Sequence, residues 1–285
     1  MKQNINKYCL SKKLISLIFA MALIFICSSA YCQEDCEKDK PAEEDKWNFM
    51  VTPYAQLNSL DLDSTINGIT APVDLSFSDI IDHFDVFAFA LRTVSRKGKS
   101  KWGILFDGWY VDLESDFRTN KPFIEKVEVD ITQSVVDLAV MYQLSKGLPM
   151  KEQGCYLPLS LDVWGGARYQ YLKQEITPKG PGPLTVKLGK SKDWVEPLVG
   201  ARILFPLTKK LNLSVLGDVS GFGVGSASDR TWNFASGFDY QLFEKVSIKL
   251  VYKIYDIKYS NGSGTSEFGL DGREEGPWLG LTFHL

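Results

Sequence analysis

The chain has 285 residues, 24% charged and 45% hydrophobic, with a formal net charge of −3, 23 glycines and two histidines. Beyond Gln33 its longest stretch free of Asp, Glu, Lys and Arg is Trp47–Leu60, whereas a spanning helix needs about 20 apolar residues, so a helical membrane bundle is excluded. The charge balance makes no electrostatic case for nucleic acid, and two histidines leave little material for a His-rich metal centre.

At the N-terminus Lys2, Lys7, Lys12 and Lys13 precede an apolar run over 14–27, and Ser28, Ser29 and Ala30 follow. A basic head, a short apolar segment and a small-residue exit predict a secretory signal peptide over 1–32, cut after Ala30 or after Cys32. An uncleaved anchor is the competing reading, and 14 apolar residues are short for a span. A lipoprotein cut before Cys32 is opposed by the bulk of Tyr31. Removal of the signal takes four lysines and no acids, which makes the mature chain more acidic. Residues 33–46 are acidic, contain Pro41 and show no apolar period, as expected of a flexible periplasmic tether.

From Trp47 to Leu285 the hydrophobic period is two. Val246, Ile248, Leu250, Tyr252 and Ile254 share one face of a strand, and Ser247, Lys249, Val251 and Lys253 share the other. Trp232, Phe234, Phe238, Tyr240 and Leu242 likewise oppose Asn233, Ala235, Gly237, Asp239 and Gln241. Ten such strands are expected, near 47–58, 84–95, 101–114, 126–143, 157–173, 191–206, 211–222, 230–243, 246–259 and 276–285, with eight as the alternative count. The connections at 96–100, 207–210 and 244–245 are short. Those after the first, third, fifth, seventh and ninth strands tend to be longer, the longest covering 59–83. Short turns at one end and long loops at the other predict an all-β fold, an up-and-down antiparallel barrel in the bacterial outer membrane. The long turn over 144–156 breaks that rule. A soluble β-sandwich would also alternate, but strands longer than ten residues with aromatic-rich apolar faces opposite charged ones favour the barrel.

The segments Trp102-Gly-Ile-Leu-Phe-Asp-Gly-Trp-Tyr-Val-Asp-Leu113, Trp194-Val-Glu-Pro-Leu-Val-Gly-Ala-Arg202 and Gly217-Asp-Val-Ser-Gly-Phe-Gly-Val-Gly225 resemble a family of small, mostly uncharacterised outer-membrane β-barrel proteins of Gram-negative bacteria. The resemblance covers Trp47 to Leu285 and implies fold and location, with no activity attached. The ending that carries Trp278, Gly280, Phe283 and Leu285 looks like the terminal strand read by the barrel-insertion machinery, although that signal usually closes on an aromatic residue.

If the apolar faces meet lipid, Arg92, Asp107, Asp162, Arg168, Glu196, Arg202, Asp218, Asp239, Lys249 and Lys253 point inward, five acids and five bases. Ten strands make a lumen only modestly wider than the eight-strand size that side chains fill, and unpaired buried charge is costly. A bridged, plugged interior is therefore expected, with a narrow pore or small-ligand channel as the alternative. A rim-located hydrolase is a minor alternative, carried by His83 between Asp82 and Asp85. Ser220-Gly-Phe-Gly-Val-Gly225 is glycine-rich but lacks the strand-to-helix turn of a phosphate loop. No cofactor, metal or catalytic set is assigned, and the expected partners are outer-membrane lipid, the insertion machinery and an external ligand that the sequence does not name. Cys36 and Cys155 form a candidate disulfide in the oxidising periplasm. The reading is an envelope protein with a structural or surface-interaction role and no catalysis.

Overall fold

The computed structural model describes residues 46–76, 87–118, 126–152, 155–180 and 187–285. Signal, tether, Cys36 and His83 lie outside the described residues. The strands are β1 (Trp47–Gln56), β2 (Ser59–Ile66), β3 (Ile69–Leu75), β4 (Phe87–Lys97), β5 (Trp102–Arg118), β6 (Lys126–Glu152), β7 (Cys155–Lys179), β8 (Leu188–Pro206), β9 (Leu211–Ser220), β10 (Arg230–Phe243), β11 (Val246–Asn261) and β12 (Phe268–His284). β1 and β4 to β12 pair antiparallel in chain order, and β12 returns to β1, closing a ten-strand up-and-down barrel. The seam is zipped to the last residue: Phe49 and Leu285 exchange both backbone hydrogen bonds, at 3.0 and 2.9 Å.

Two connections differ from expectation. The 59–83 segment is largely a hairpin, β2–β3, whose first strand lies along the upper half of β12 and turns at Asn67-Gly68. Both turn residues have positive φ, 53° and 76°, the backbone of a tight hairpin turn and one that Asn and Gly adopt with least strain. The 144–156 segment is not a long turn, because β6 runs on to Glu152 and β7 starts at Cys155, with register shifts between Gln143 and Pro149 absorbing the irregularity.

The outward face has two parts. Phe238, Leu250 and Leu279 stand side by side on β10, β11 and β12 and are about half exposed. Val195, Val199, Leu138, Val140, Ile104 and Phe89 continue the apolar belt around the wall, and Trp47 and Trp102 flank it at the end where the short turns lie. On β11 the apolar outward series runs from Val246 to Ile254, nine residues, which matches the 9–11 tilted residues that cross a hydrocarbon layer. An apolar belt on a closed barrel with a charged interior is the arrangement of an outer-membrane protein, and the short-turn end is then periplasmic.

Above the belt the pattern inverts. On β11 the outward residues become Asp256, Lys258 and Ser260, while Ile257 and Tyr259 turn inward and are buried. On β7 the outward residues become Lys173 and Glu175, and Leu172 and Ile176 are buried. Leu62, Ile66, Ala71, Val73, Val129, Ile131, Phe268 and Leu270 complete an apolar core beneath this outer cap. One strand thus serves two solvents: apolar side chains face lipid below and the interior above, wherever water is absent. On the cap's wet face Lys179 and Lys126 hold the Glu128 carboxyl below its ordinary pKa, and Lys187 and Lys173 do the same to Glu175.

An arginine on the lipid face tests this assignment. Leu250→Arg places a charge at mid-belt and should cost about 2–4 kcal/mol of folding free energy in urea titrations in lipid vesicles. Lys258→Leu, above the belt, should change stability by no more than about 0.5 kcal/mol.

Candidate functional site

The lumen is lined by side chains delivered by the inward half of each strand's alternation. All ten charged residues singled out above lie on that face. Arg168 of β7 is 2% exposed and is the hub. Its Nε and Nη2 donate to the two carboxylate oxygens of Asp137 at 2.7 Å each, Nη2 also donates to Asp218 at 2.9 Å, and Nη1 donates to Ser220 Oγ at 3.1 Å. Asn233 donates to the other oxygen of Asp218 at 2.9 Å. A guanidinium suits this duty because its planar fork meets a carboxylate bidentately, which shortens and strengthens both bonds.

Glu196 is satisfied without a cation. Gln170, Trp194 Nε1, Ser220 Oγ and both the backbone N–H and the hydroxyl of Ser228 donate to its oxygens, at 2.5–3.2 Å. Ser228 belongs to the 221–229 connection, so this carboxylate ties an external loop to the wall. Tyr255 of β11 donates to Gln170 on β7 at 2.9 Å. Those strands are four places apart around the ring, so this bond crosses the lumen. The Tyr255 ring also meets Trp109 edge-on at 5.6 Å and carries the Arg168 guanidinium at 5.7 Å. Above it Trp194 stacks on Tyr259 across the lumen, with centroids 3.8 Å apart and planes 7° from parallel.

Toward the periplasmic end Asp162 receives Arg202 at 2.7 Å and, from across the lumen, Arg96. Asp107 receives Arg92 at 3.2 Å and the hydroxyl of Tyr54 at 3.0 Å. Lys249 pairs with Asp239 at 3.4 Å. Lys253 lies over Trp109 at 5.1 Å and Tyr255 at 5.6 Å. Between Lys253, Asp107, Arg92, Tyr54 and Trp278 remains a cavity of about 10 Å³, room for about one water. Thr52 and Thr282 share a hydrogen bond at 2.8 Å near the bottom, where His284 approaches Ser247 at 3.3 Å.

Among the described residues, the sequence reading missed Asp137, Arg96 and Glu274, all inward-facing. Asp137 sits in an apolar run, Val135-Val-Asp-Leu-Ala-Val140, and strict alternation from Gln143 and Gln133 would have placed it inside. In the terminal strand Trp278 and Gly280 face inward, and Phe283 and Leu285 are exposed on the outer face. Cys155 opens β7, and its side chain, like all of Cys36, lies outside the described residues. Among the described residues no group of three or more His, Cys, Asp or Glu could hold a metal ion.

No family model and no curated protein matches the chain. Among solved structures it is similar to the outer membrane protease OmpT of Escherichia coli, at 8% identity and TM-score 0.49 over 85% of this chain and 98% of that one. It is also similar to the translocator domain of the autotransporter NalP of Neisseria meningitidis, at 13% identity and TM-score 0.34 over 86% and 91%. The attachment invasion locus protein Ail of Yersinia pestis matches at 11% identity and TM-score 0.32 over 85% and 99%.

Because Arg168 is the ion-pair partner of two buried acids, Arg168→Met should cost about 3–5 kcal/mol by stranding Asp137 and Asp218. The triple variant Arg168→Met, Asp137→Asn, Asp218→Asn should recover most of that loss, measured by urea unfolding in micelles. Glu196→Leu should make the 221–229 loop the earliest proteolytic cut while the barrel stays folded.

Proposed function

We propose that the protein is a non-catalytic outer-membrane barrel in which a solid interior holds a folded extracellular cap, the part that meets the outside world in a structural or surface-interaction role. The observation that supports this reading is the crossing of the lumen by Tyr255, which reaches Gln170, Trp109 and Arg168 at once, beneath an apolar core that includes Ile66, Leu270 and Phe268. A porin needs a wet path, and charges that already bridge wall to wall serve rigidity rather than passage. Apolar residues at the outer end also differ from the polar mouth of a solute channel.

Among the described residues, the serines nearest a base or a carboxylate are tied up. Ser220 and Ser228 are 2% and 0% exposed and donate to a carboxylate. Ser247, next to His284, is 2% exposed. A nucleophile needs both an adjacent base and access to substrate, and these serines lack access. Insertion through the barrel-insertion machinery belongs to the same reading, with outward Phe283 and Leu285 supplying an apolar signal.

Purified protein in planar bilayers should show no steady single-channel steps, and proteoliposomes should not swell in small sugars. Steady steps from the unmodified protein would replace this reading with the narrow pore. Tyr255→Ala, which removes the central bridge, should be the variant that first gains a small conductance.

A further inference from the structure

The top of the apolar belt can be followed from strand to strand through the register. Val199, Val219, Trp232, Asp256 and Arg273 stand in one row across β8 to β12. Counted from that row, the first outward charge is one row below on β12, at Glu275, and in the row itself on β11, at Asp256. It is one row above on β10, at Arg230, three above on β8, at Asp193, and four above on β7, at Lys173. The boundary thus climbs one row per strand, in the sense that tilted strands impose. On β9 it falls two rows above Val219, at position 223. No charge stands there: β9 ends at Ser220, and Val219 to Ser228 contains no Asp, Glu, Lys or Arg.

The turn that fills this place presents apolar side chains to the outside. Phe222 and Val224 are 52% and 64% exposed, and Val195, which stands on β8 in the row of position 223, is 61% exposed. Gly221, Phe222, Gly223 and Gly225 all have positive φ, 62° at Phe222, a backbone that a bulky side chain adopts only at a cost. The turn is nevertheless fixed. Gly223 N–H donates to Ser228 O at 3.0 Å, Ala227 N–H donates to Val224 O at 3.1 Å, and the Ser228 hydroxyl donates to Glu196. A Cβ at Gly221 would lie 2.3 Å from Ser228 Oγ, so the chain can fold back there only on glycine. A phenyl ring held in strain and half exposed gains from burial only if something outside covers it. The surface that continues from it, Val219 and Val195, is the lipid-facing belt, so the cover at hand is acyl chain.

We propose that the 221–225 turn is a lipid-binding finger: Phe222 and Val224 enter the outer leaflet where acyl chains meet headgroups, beside Val195 and Val219, and carry the belt across the end of β9. Through Ser228 and Glu196 the finger ties the leaflet to the lumen network. The inference rests on the membrane belt alone, so it stands apart from the plugged-lumen reading.

The test uses the full-length barrel folded in phospholipid vesicles. Under hydroxyl-radical labelling read by mass spectrometry, Phe222 should oxidise more than about threefold more slowly than Ile69, because the radicals form in water and hydrocarbon excludes it. Ile69 lies at the tip of the cap hairpin and is 53% exposed. A phenyl ring in water reacts faster than an isoleucine, so protection of Phe222 cannot come from its chemistry, and Phe238 in the belt supplies the protected limit. The photoreactive residue p-benzoylphenylalanine, placed at position 222 and irradiated in the same vesicles, should give a phospholipid adduct, with the heat-dependent shift in electrophoretic mobility reporting that the variant is folded. Oxidation of Phe222 within about threefold of the Ile69 rate or above it, an adduct with a second copy of the chain in place of lipid, or no phospholipid adduct would overturn the proposal.

Discussion

A backbone amide in hydrocarbon has no water to turn to, so every N–H and C=O that crosses the bilayer must find its partner within the protein. In this chain that constraint is met only when β12 reaches β1. Until Leu285 pairs with Phe49, both strands present an open edge to lipid. Closure then dictates the rest. Each strand's alternation is divided into a wall that meets lipid and a wall that meets the lumen, and the lumen of a ten-strand ring is narrow enough for side chains from opposite walls to touch.

The side chains at that meeting are charged because the outer wall has already taken the apolar ones. Buried charges are tolerable when paired and hydrogen-bonded, and at the centre of the interior two different devices supply partners, while, among the described residues, Arg96 Nε and Glu274 Oε1 are buried without one. Arg168 gathers two carboxylates around one guanidinium, whereas Glu196 is surrounded by neutral donors. The first links β6, β7 and β9. The second links β7, β8 and β9 to the loop that carries Ser228. Above them the chain reverts to the economy of a soluble protein, apolar inside and charged outside, and the cap is held to the barrel by strands that run through both regimes without interruption.

Much of this was legible in the sequence. The alternation from Val246 to Ile254 marks a lipid-facing strand by itself, and Arg168, Glu196 and Asp218 fall on the polar side of theirs. The β2–β3 hairpin was also visible in principle, since Asn67-Gly68 between Leu60-Asp-Leu-Asp and Thr70-Ala-Pro-Val is a tight-turn signal. It reads as a loop because its alternation serves the cap, with Asp61 and Asp63 outward, and does not resemble a membrane strand. The extension of β6 to Glu152 is obscured by Gly147 and Pro149, which break the period at the bulges. Asp137 is hidden within valines, leucine and alanine, where one acid looks like an interruption.

The amino-acid order alone determined the strands, their two faces and the medium each face meets, because side-chain direction along a strand repeats every two residues whatever the strand packs against. It could not decide which inward groups join. Arg168 and Asp218 are 50 residues apart, and Tyr255 and Gln170 are 85 apart. Their meeting depends on strand number, tilt and stagger after the ring has closed. The same is true of the row that sets Arg273 beside Asp256 and Trp232, which exists only once three strands have taken their register. Local chemistry chose the faces, and the geometry of closure chose the partners.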